Sequence, residues 1–215
     1  EFCKKNSFEN NNQQIEIVNL LNKFFNPRKF FLSNFFKNKG KLCFYLYGSV
    51  GVGKTMILNF FYDHIKVKKL RLHFNEFMIN FHDFRHDKED DNSIRSFVKE
   101  LKKQYELIYL DEFQVTNIVD AMILGKLFEI IFSENIKIII TTNTKLSDLY
   151  KDGLQREQFL PFISTIENYS IQKELSLKDD YRLKDLNKKQ RIYYPLNEST
   201  LFMINKNFRE LNRNK

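Results

Sequence analysis

The chain has 215 residues, enough for one α/β domain with short extensions and a real core. Hydrophobic residues make up 42% and charged residues 29%, a globular composition, and no apolar run approaches the ~20 residues needed to span a bilayer. Net charge is +8, and residues 178–215 hold ten Lys/Arg against five Asp/Glu. Such a basic tail is compatible with nucleic acid or an anionic membrane surface. The excess of Lys, Asn, Ile and Phe runs through the whole chain, however, as coding bias alone produces, so a dedicated nucleic-acid role is not the expectation. Only Cys3 and Cys43 are present. Cys43 falls inside an apolar run, which argues against a disulfide framework and for a reducing compartment. The N-terminus, Glu1-Phe2-Cys3-Lys4-Lys5, has no signal-peptide core and does not begin with Met. A targeting segment removed from a longer chain is compatible with that.

Residues 1–12 are polar and Asn-rich and are expected to fray. Ile15, Val18, Leu21 and Phe25 recur at helical spacing and predict a helix over about 13–25. Pro27 opens a second short helix bearing Phe30, Phe31, Phe35 and Phe36, ended by Lys37-Asn38-Lys39-Gly40. This basic, Phe-rich stretch is compatible with peripheral membrane association, but packing on its own domain is the ordinary outcome for such a stripe. These first 40 residues read as a helical extension.

Leu42-Cys43-Phe44-Tyr45-Leu46-Tyr47 predicts a buried strand, and Met56-Ile57-Leu58-Asn59-Phe60-Phe61-Tyr62 a helix. Between them, Gly48-Ser49-Val50-Gly51-Val52-Gly53-Lys54-Thr55 fits the phosphate-binding pattern G-x-x-x-x-G-K-[ST]. Successive backbone N–H groups can surround a triphosphate where glycines remove Cβ atoms, and the helix start aims its dipole at the same anion. Lys54 is placed to reach the β and γ phosphates, and the Thr55 hydroxyl to bind Mg²⁺.

Lys69-Leu70-Arg71-Leu72-His73-Phe74 predicts the second strand, and Asn75 a cap for a helix with Phe77, Met78, Phe81 and Phe84. His82 and His86 stand at i, i+4 beside Asp83 and Asp87, but the solvated run Asp87-Lys88-Glu89-Asp90-Asp91 and the lack of Cys argue against a metal site there. Ser93 predicts a cap for a helix to about residue 103, with Ile94, Phe97, Val98 and Leu101 on one face.

Leu107-Ile108-Tyr109-Leu110-Asp111-Glu112 predicts a buried parallel strand ending in two acids. Asp111 would hold Mg²⁺ through its water shell, and Glu112 would take a proton from the attacking water. Transfer of phosphate to a small molecule does not need that second acid, so Glu112 favours ATP hydrolysis. Asn117 predicts the cap of a helix over 118–132. Lys137-Ile138-Ile139-Ile140-Thr141 predicts another buried strand, with Thr142 and Asn143 at its tip. Asn143 can orient the attacking water and sense the γ-phosphate, or be an ordinary loop residue. The spacing of Asn143-Thr144-Lys145-Leu146-Ser147-Asp148 does not fit a guanine-reading motif. A short helix with Phe159, Phe162 and Ile163 and a strand at Ser170-Ile171-Gln172-Lys173-Glu174-Leu175 complete the alternation, which means α/β with a parallel sheet. A basic connector from Tyr181, an extended piece at Ile192-Tyr193-Tyr194 and a helix from about Ser199 to Leu211 follow.

Several blocks together resemble the ZapE-type AAA+ ATPases, a bacterial cell-division family with mitochondrial AFG-like members. They are Tyr45-Leu46-Tyr47 with the phosphate loop and Met56, His73-Phe74-Asn75-Glu76-Phe77-Met78, the run from Asp111 to Leu124, the run from Leu149 to Ile163, and Asp180-Tyr181-Arg182. The match extends over about 41–197. The resemblance implies an AAA+ core over 41–178, a basic extension over 179–215, and a ring or ring-like homo-oligomer. It implies that ATP hydrolysis acts on a protein client, in the division ring or among inner-membrane proteins, and a bacterial cytoplasmic or mitochondrial matrix location. It gives Arg156 the position of an arginine finger for a neighbour's γ-phosphate, a group that can speed hydrolysis ~10³–10⁵-fold. An interface or capping salt bridge is the plainer role for Arg156. Family members continue into a C-terminal region with an arginine-bearing motif and a lid, so a lid is expected to be largely absent from these 215 residues. Two other readings remain open on the residues: a nucleotide-binding interaction module without turnover, and a loader ATPase associated with single-stranded DNA.

Overall fold

Among the described residues, five strands form one parallel sheet in the order β2-β3-β4-β1-β5. They are β1 (Cys43–Tyr47), β2 (Lys69–His73), β3 (Leu107–Asp111), β4 (Lys137–Thr142) and β5 (Ser170–Glu174). The helices, in chain order, are α1 (Asn12–Phe25), α2 (Lys54–His64), α3 (Phe74–Asp87), α4 (Ser93–Gln104), α5 (Ile118–Ser133), α6 (Leu160–Tyr169) and α7 (Glu198–Arg213). The computed structural model describes residues 12–25, 40–87, 92–176 and 197–213. The helix expected after Pro27, the acidic run at 88–91, the Asp180-Tyr181-Arg182 block and the extended piece at 192–194 lie outside the described residues.

The central strands are apolar on both faces because helices cover both. Alternation along β1, β3 and β4 divides the core into two layers. Cys43, Tyr45, Ile108, Leu110, Ile138 and Ile140 face a row formed by α3, α4, α5 and α6. On the other face Phe24 of α1 meets Phe44, its ring centroid 6.0 Å away, and Phe25 of α1 meets Phe61 of α2 at 5.4 Å. Cys43 is a free, fully buried thiol, and burial pushes its pKa far up, so it is chemically quiet.

Strand and helix types follow the sequence, while three local expectations change. The buried face of α1 carries Gln14, Ile17, Leu21 and Phe24, and Ile15 is 47% exposed. The expected stripe was Ile15, Val18, Leu21 and Phe25. The true stripe is rotated by about one residue and takes a glutamine inside, which apolar spacing alone cannot anticipate. Asn75 caps nothing: α3 begins at Phe74 directly after β2, so Asn75 is already helical. Ser93 is the first helical residue of α4, and Asn92 occupies the cap position. Asn117 does cap α5, accepting from the Asp120 backbone N–H at 2.8 Å.

The chain divides into two compact units, residues 1–176 and residues 177–215. In the second, α7 opens with a reciprocal cap: the Thr200 backbone N–H donates to Asn197 Oδ1 at 3.0 Å and the Asn197 N–H to Thr200 Oγ1 at 2.9 Å. No helix of the described residues is long and apolar enough to cross a membrane.

Candidate functional site

Because β1 lies between β4 and β5, and β3 beside β4, the carboxyl ends of β1, β3 and β4 stand next to one another. Loops leaving those three ends come together at what is the usual ligand position in open α/β sheets. The predicted loop leaves β1 there and runs into α2. Gly51 and Gly53 take positive φ, 86° and 92°. A Cβ on Gly48 would collide with the Leu175 carbonyl oxygen, whose own N–H is bonded to Tyr47. Glycine there is therefore a requirement of the chain that follows β5, as well as of any bound anion.

Lys54 is the first residue of α2, and its ammonium is held inside the loop. Nζ donates to the Gly48 carbonyl at 2.6 Å, to the Ser49 carbonyl at 2.8 Å and to Asn143 Oδ1 at 2.9 Å. Burial lowers the Lys54 pKa from its ordinary value, and the Asp111 charge works against that shift. Thus Lys54 and Asn143, 89 residues apart, meet directly, with Lys54 supplying the positive charge and Asn143 orienting it. Val52 is buried, while Val50 and Thr55 are exposed at the rim.

Asp111 ends β3 and is 4% exposed. Its Oδ1 accepts from the Thr141 hydroxyl and from the Glu112 N–H, the latter at 3.1 Å, and its Oδ2 accepts from Arg71 Nη2 at 2.7 Å. Burial opposes its ionisation, but the bonds from Thr141 and Arg71 outweigh burial and leave its pKa below the usual carboxylate value. Arg71 also lies over the Tyr109 ring, 4.9 Å from its centroid. Sequence reasoning missed Arg71 and Thr141. Arg71 pairs with Tyr109 in the β2/β3 register, which makes Asp111, two residues further along β3, its diagonal neighbour on the same face, and that becomes visible only once β2 is known to neighbour β3.

Glu112 follows directly, in the left-handed region at φ 53°. A glutamate there stores strain of about 1–3 kcal/mol, and such strain persists only when the surroundings over-determine it. They do so here. Its N–H is bonded to Asp111, and the next residue, Phe113, is fully buried with its N–H on the Thr141 carbonyl at 2.8 Å. Phe113 packs on Phe74 at 4.2 Å and stacks on Phe162 at 5.6 Å between centroids. The Glu112 carboxylate is turned outward, with its Oε2 3.7 Å from His73 Nδ1. An exposed carboxylate at the carboxyl end of β3, with only a long contact to His73, is what a proton acceptor for water needs.

Thr55 and Asp111 supply hydroxyl and carboxylate oxygens, the hard donors magnesium prefers, and magnesium usually binds through one or two carboxylates with phosphate and water. The donor set therefore fits that ion. Arg156 is the predicted site residue that lies apart. It starts a short 3₁₀ turn, Arg156–Gln158, and its guanidinium donates to the Ser147 carbonyl at 2.6 Å and the Lys151 carbonyl at 3.3 Å. His82, considered for a metal, instead bonds Asp120 at 2.7 Å, which also accepts from the Asn117 side chain.

A parallel five-stranded sheet flanked by helices, with a phosphate loop after β1 and paired acids after β3, defines a P-loop nucleotide-binding core of the AAA+ type. The model of the AFG1-like ATPases matches residues 5–215. The chain belongs to that family. It is 37% identical to the zebrafish (Danio rerio) lactation elevated protein 1 homolog B over 164 residues, 70% of this chain and 33% of that protein. It is 32% identical to the cell division protein ZapE of Escherichia coli K12 over 164 residues, 75% of this chain and 44% of that protein. The chain thus spans less than half the length of these curated relatives. Among solved structures, the DnaC helicase loader shares the fold at a TM-score of 0.53 and 19% identity, over 78% of this chain and 92% of that one. AMPPCP-bound DnaA from Aquifex aeolicus shares it at 0.53 and 19%, over 84% of this chain and 52% of that one.

Proposed function

We propose that this chain is the Mg²⁺-dependent ATP-hydrolysing core of an oligomeric remodelling machine that acts on a protein client. The observation that carries the reading is the meeting of Lys54 and Asn143 at 2.9 Å beside Asp111 and a strained, outward-facing Glu112. A structural role alone gives no reason to hold a glutamate in a left-handed backbone at the mouth of a phosphate loop.

In this reading the N–H groups from Gly48 to Thr55, with Ser49, Val50, Gly51, Val52 and Gly53 between, cradle the phosphates. Lys54 leaves the Gly48 and Ser49 carbonyls for the β and γ oxygens. Asn143 then holds the attacking water against the γ-phosphate, and Glu112 Oε accepts that water's proton. The Thr55 hydroxyl and Asp111 would hold a magnesium ion, which would supply positive charge against the phosphates. Arg156 is the group a neighbouring subunit would present. The client, by analogy with a relative named for cell division, is a division protein or an inner-membrane protein, and the location follows as bacterial cytoplasm or mitochondrial matrix. Single-stranded DNA and a membrane surface are lesser candidates, through the basic residues beyond 178.

One observation favours a second reading, a nucleotide-binding module without turnover. Arg156 turns two of its N–H donors to carbonyls of its own loop, which holds the guanidinium back against its own subunit. Steady-state ATPase rate against protein concentration separates the two, with Glu112→Gln and Arg156→Ala beside the parent. The hydrolase reading expects specific activity to rise with concentration. Glu112→Gln should lose at least 10²-fold in rate while still binding ATP, about what one general base contributes. Arg156→Ala should lose the concentration dependence. A parent that binds ATP yet turns over no faster than Glu112→Gln at any concentration is the binding module.

A further inference from the structure

Gln14, in the first turn of α1, has a side chain that the phosphate-loop chemistry does not use. It is 7% exposed, and its Nε2 is buried without a hydrogen-bond partner among the described residues. It is also aimed: Nε2 lies 3.2 Å from where a Cβ on Gly53 would stand, and the Met56 side chain reaches the same spot. Gly53 is the last loop residue before Lys54. A buried amide donor left unpaired is costly in any fold, so its retention beside a ligand loop calls for an acceptor that arrives with the ligand.

Position says which part of the ligand arrives there. The groups for the terminal phosphate, Asp111, Glu112 and Asn143, come from β3 and β4. The first turns of α1 are tied to the opposite flank, where Glu16 accepts from Lys173 of β5 at 2.8 Å. The loop crosses between the two. A nucleotide whose γ-phosphate sits at the β3/β4 side therefore extends its nucleoside across the loop towards the α1 flank and Gln14.

We propose that Gln14 is a nucleoside-reading residue, whose Nε2–H donates to a ring nitrogen of the adenine base of the bound nucleotide. This rests on the nucleotide-binding reading of the loop. A carboxamide is suited to the task, because its donor and acceptor together match adenine's ring nitrogen and amino group and mismatch guanine's. It also assigns α1 a role: the helix carries one wall of the base site, and its first turn gains a bond only when nucleotide is present.

The test is calorimetric titration of ADP, GDP and pyrophosphate into the parent and Gln14→Met, with thermal melts of both proteins in the absence of nucleotide. Gln14→Met keeps the side-chain volume and removes the donor. The expected result is an ADP affinity lower by about five- to tenfold, the usual yield of one net hydrogen bond, with a reduced preference for ADP over GDP. Pyrophosphate affinity should stay unchanged, and the nucleotide-free melting temperature should stay level or rise. Unchanged ADP affinity, an unchanged ADP-to-GDP preference, a parallel fall for pyrophosphate, or a lower nucleotide-free melting temperature would each overturn the assignment. A parent that binds neither ADP nor pyrophosphate would refute the nucleotide reading itself, which is a different failure.

Discussion

Asp111 is the residue whose chemistry is most constrained by its neighbours. Arg71 and Thr141 hold it ionised against the cost of burial. Its folded pKa lies below the ordinary 3.8, so the linked stability is fully present above that value and is lost as pH falls through it towards the folded one. Arg71→Met removes one source of the shift. We expect the variant to be less stable than the parent at pH 7, where a buried carboxylate loses its partner, and to lose less stability as the pH drops from about 5 towards 2. Urea midpoints in EDTA across that range measure it, and parallel curves for the two proteins would show that Arg71 does not set the Asp111 pKa. Such neighbours mark the limit of what the sequence discloses at this scale. Lys54, Asp111, Glu112 and Asn143 stand out as candidates in the sequence because Lys54 closes a glycine-rich loop and the others end or follow apolar runs. Arg71, His73 and Gln14 do not, because their meaning depends on which strand or loop lies alongside.

Among elements, the junction after β3 is held from behind. Phe113 lies against Phe74 of α3, Phe128 of α5 and Phe162 of α6, so one ring joins three helices to the end of β3. Phe113→Ala should cost about 3–5 kcal/mol of stability, as for other buried phenylalanines. Freed from its neighbour's anchorage, Glu112 should relax out of the left-handed region. We therefore expect kcat to fall while ATP affinity is retained, measured by urea unfolding and by steady-state kinetics with a nucleotide titration. Equal losses in both kinetic quantities would mean the ring supports the whole crevice and not Glu112 in particular. Strand and helix existence was readable from the sequence, since β1, β3 and β4 are uninterrupted apolar runs and α5 has a true cap in Asn117. Helix starts were less so. Asn75 and Ser93 have the chemistry of caps, but α3 follows β2 with no intervening residue and α4 starts one position early, so connection length prevailed over local preference.

At the scale of the molecule, ligand binding and folding are one equilibrium. A nucleotide that bonds to loop, Lys54 and Gln14 only in the folded state stabilises the chain by about 2.7 kcal/mol at a hundred times its Kd. ADP should therefore raise the melting temperature of the parent, and Lys54→Ala should abolish most of that rise while leaving the unliganded protein folded. A full shift in Lys54→Ala would place the nucleotide elsewhere.

The two ends of the sheet, β2 and β5, alternate in a way the central strands do not. β2 carries Lys69, Arg71 and His73, and β5 carries Lys173 and Glu174, all with some exposure. Ammonium and guanidinium groups along a terminal strand discourage another chain from extending the sheet. Strand addition by another chain, the route to amyloid-like stacking, is thereby disfavoured at both edges of the sheet.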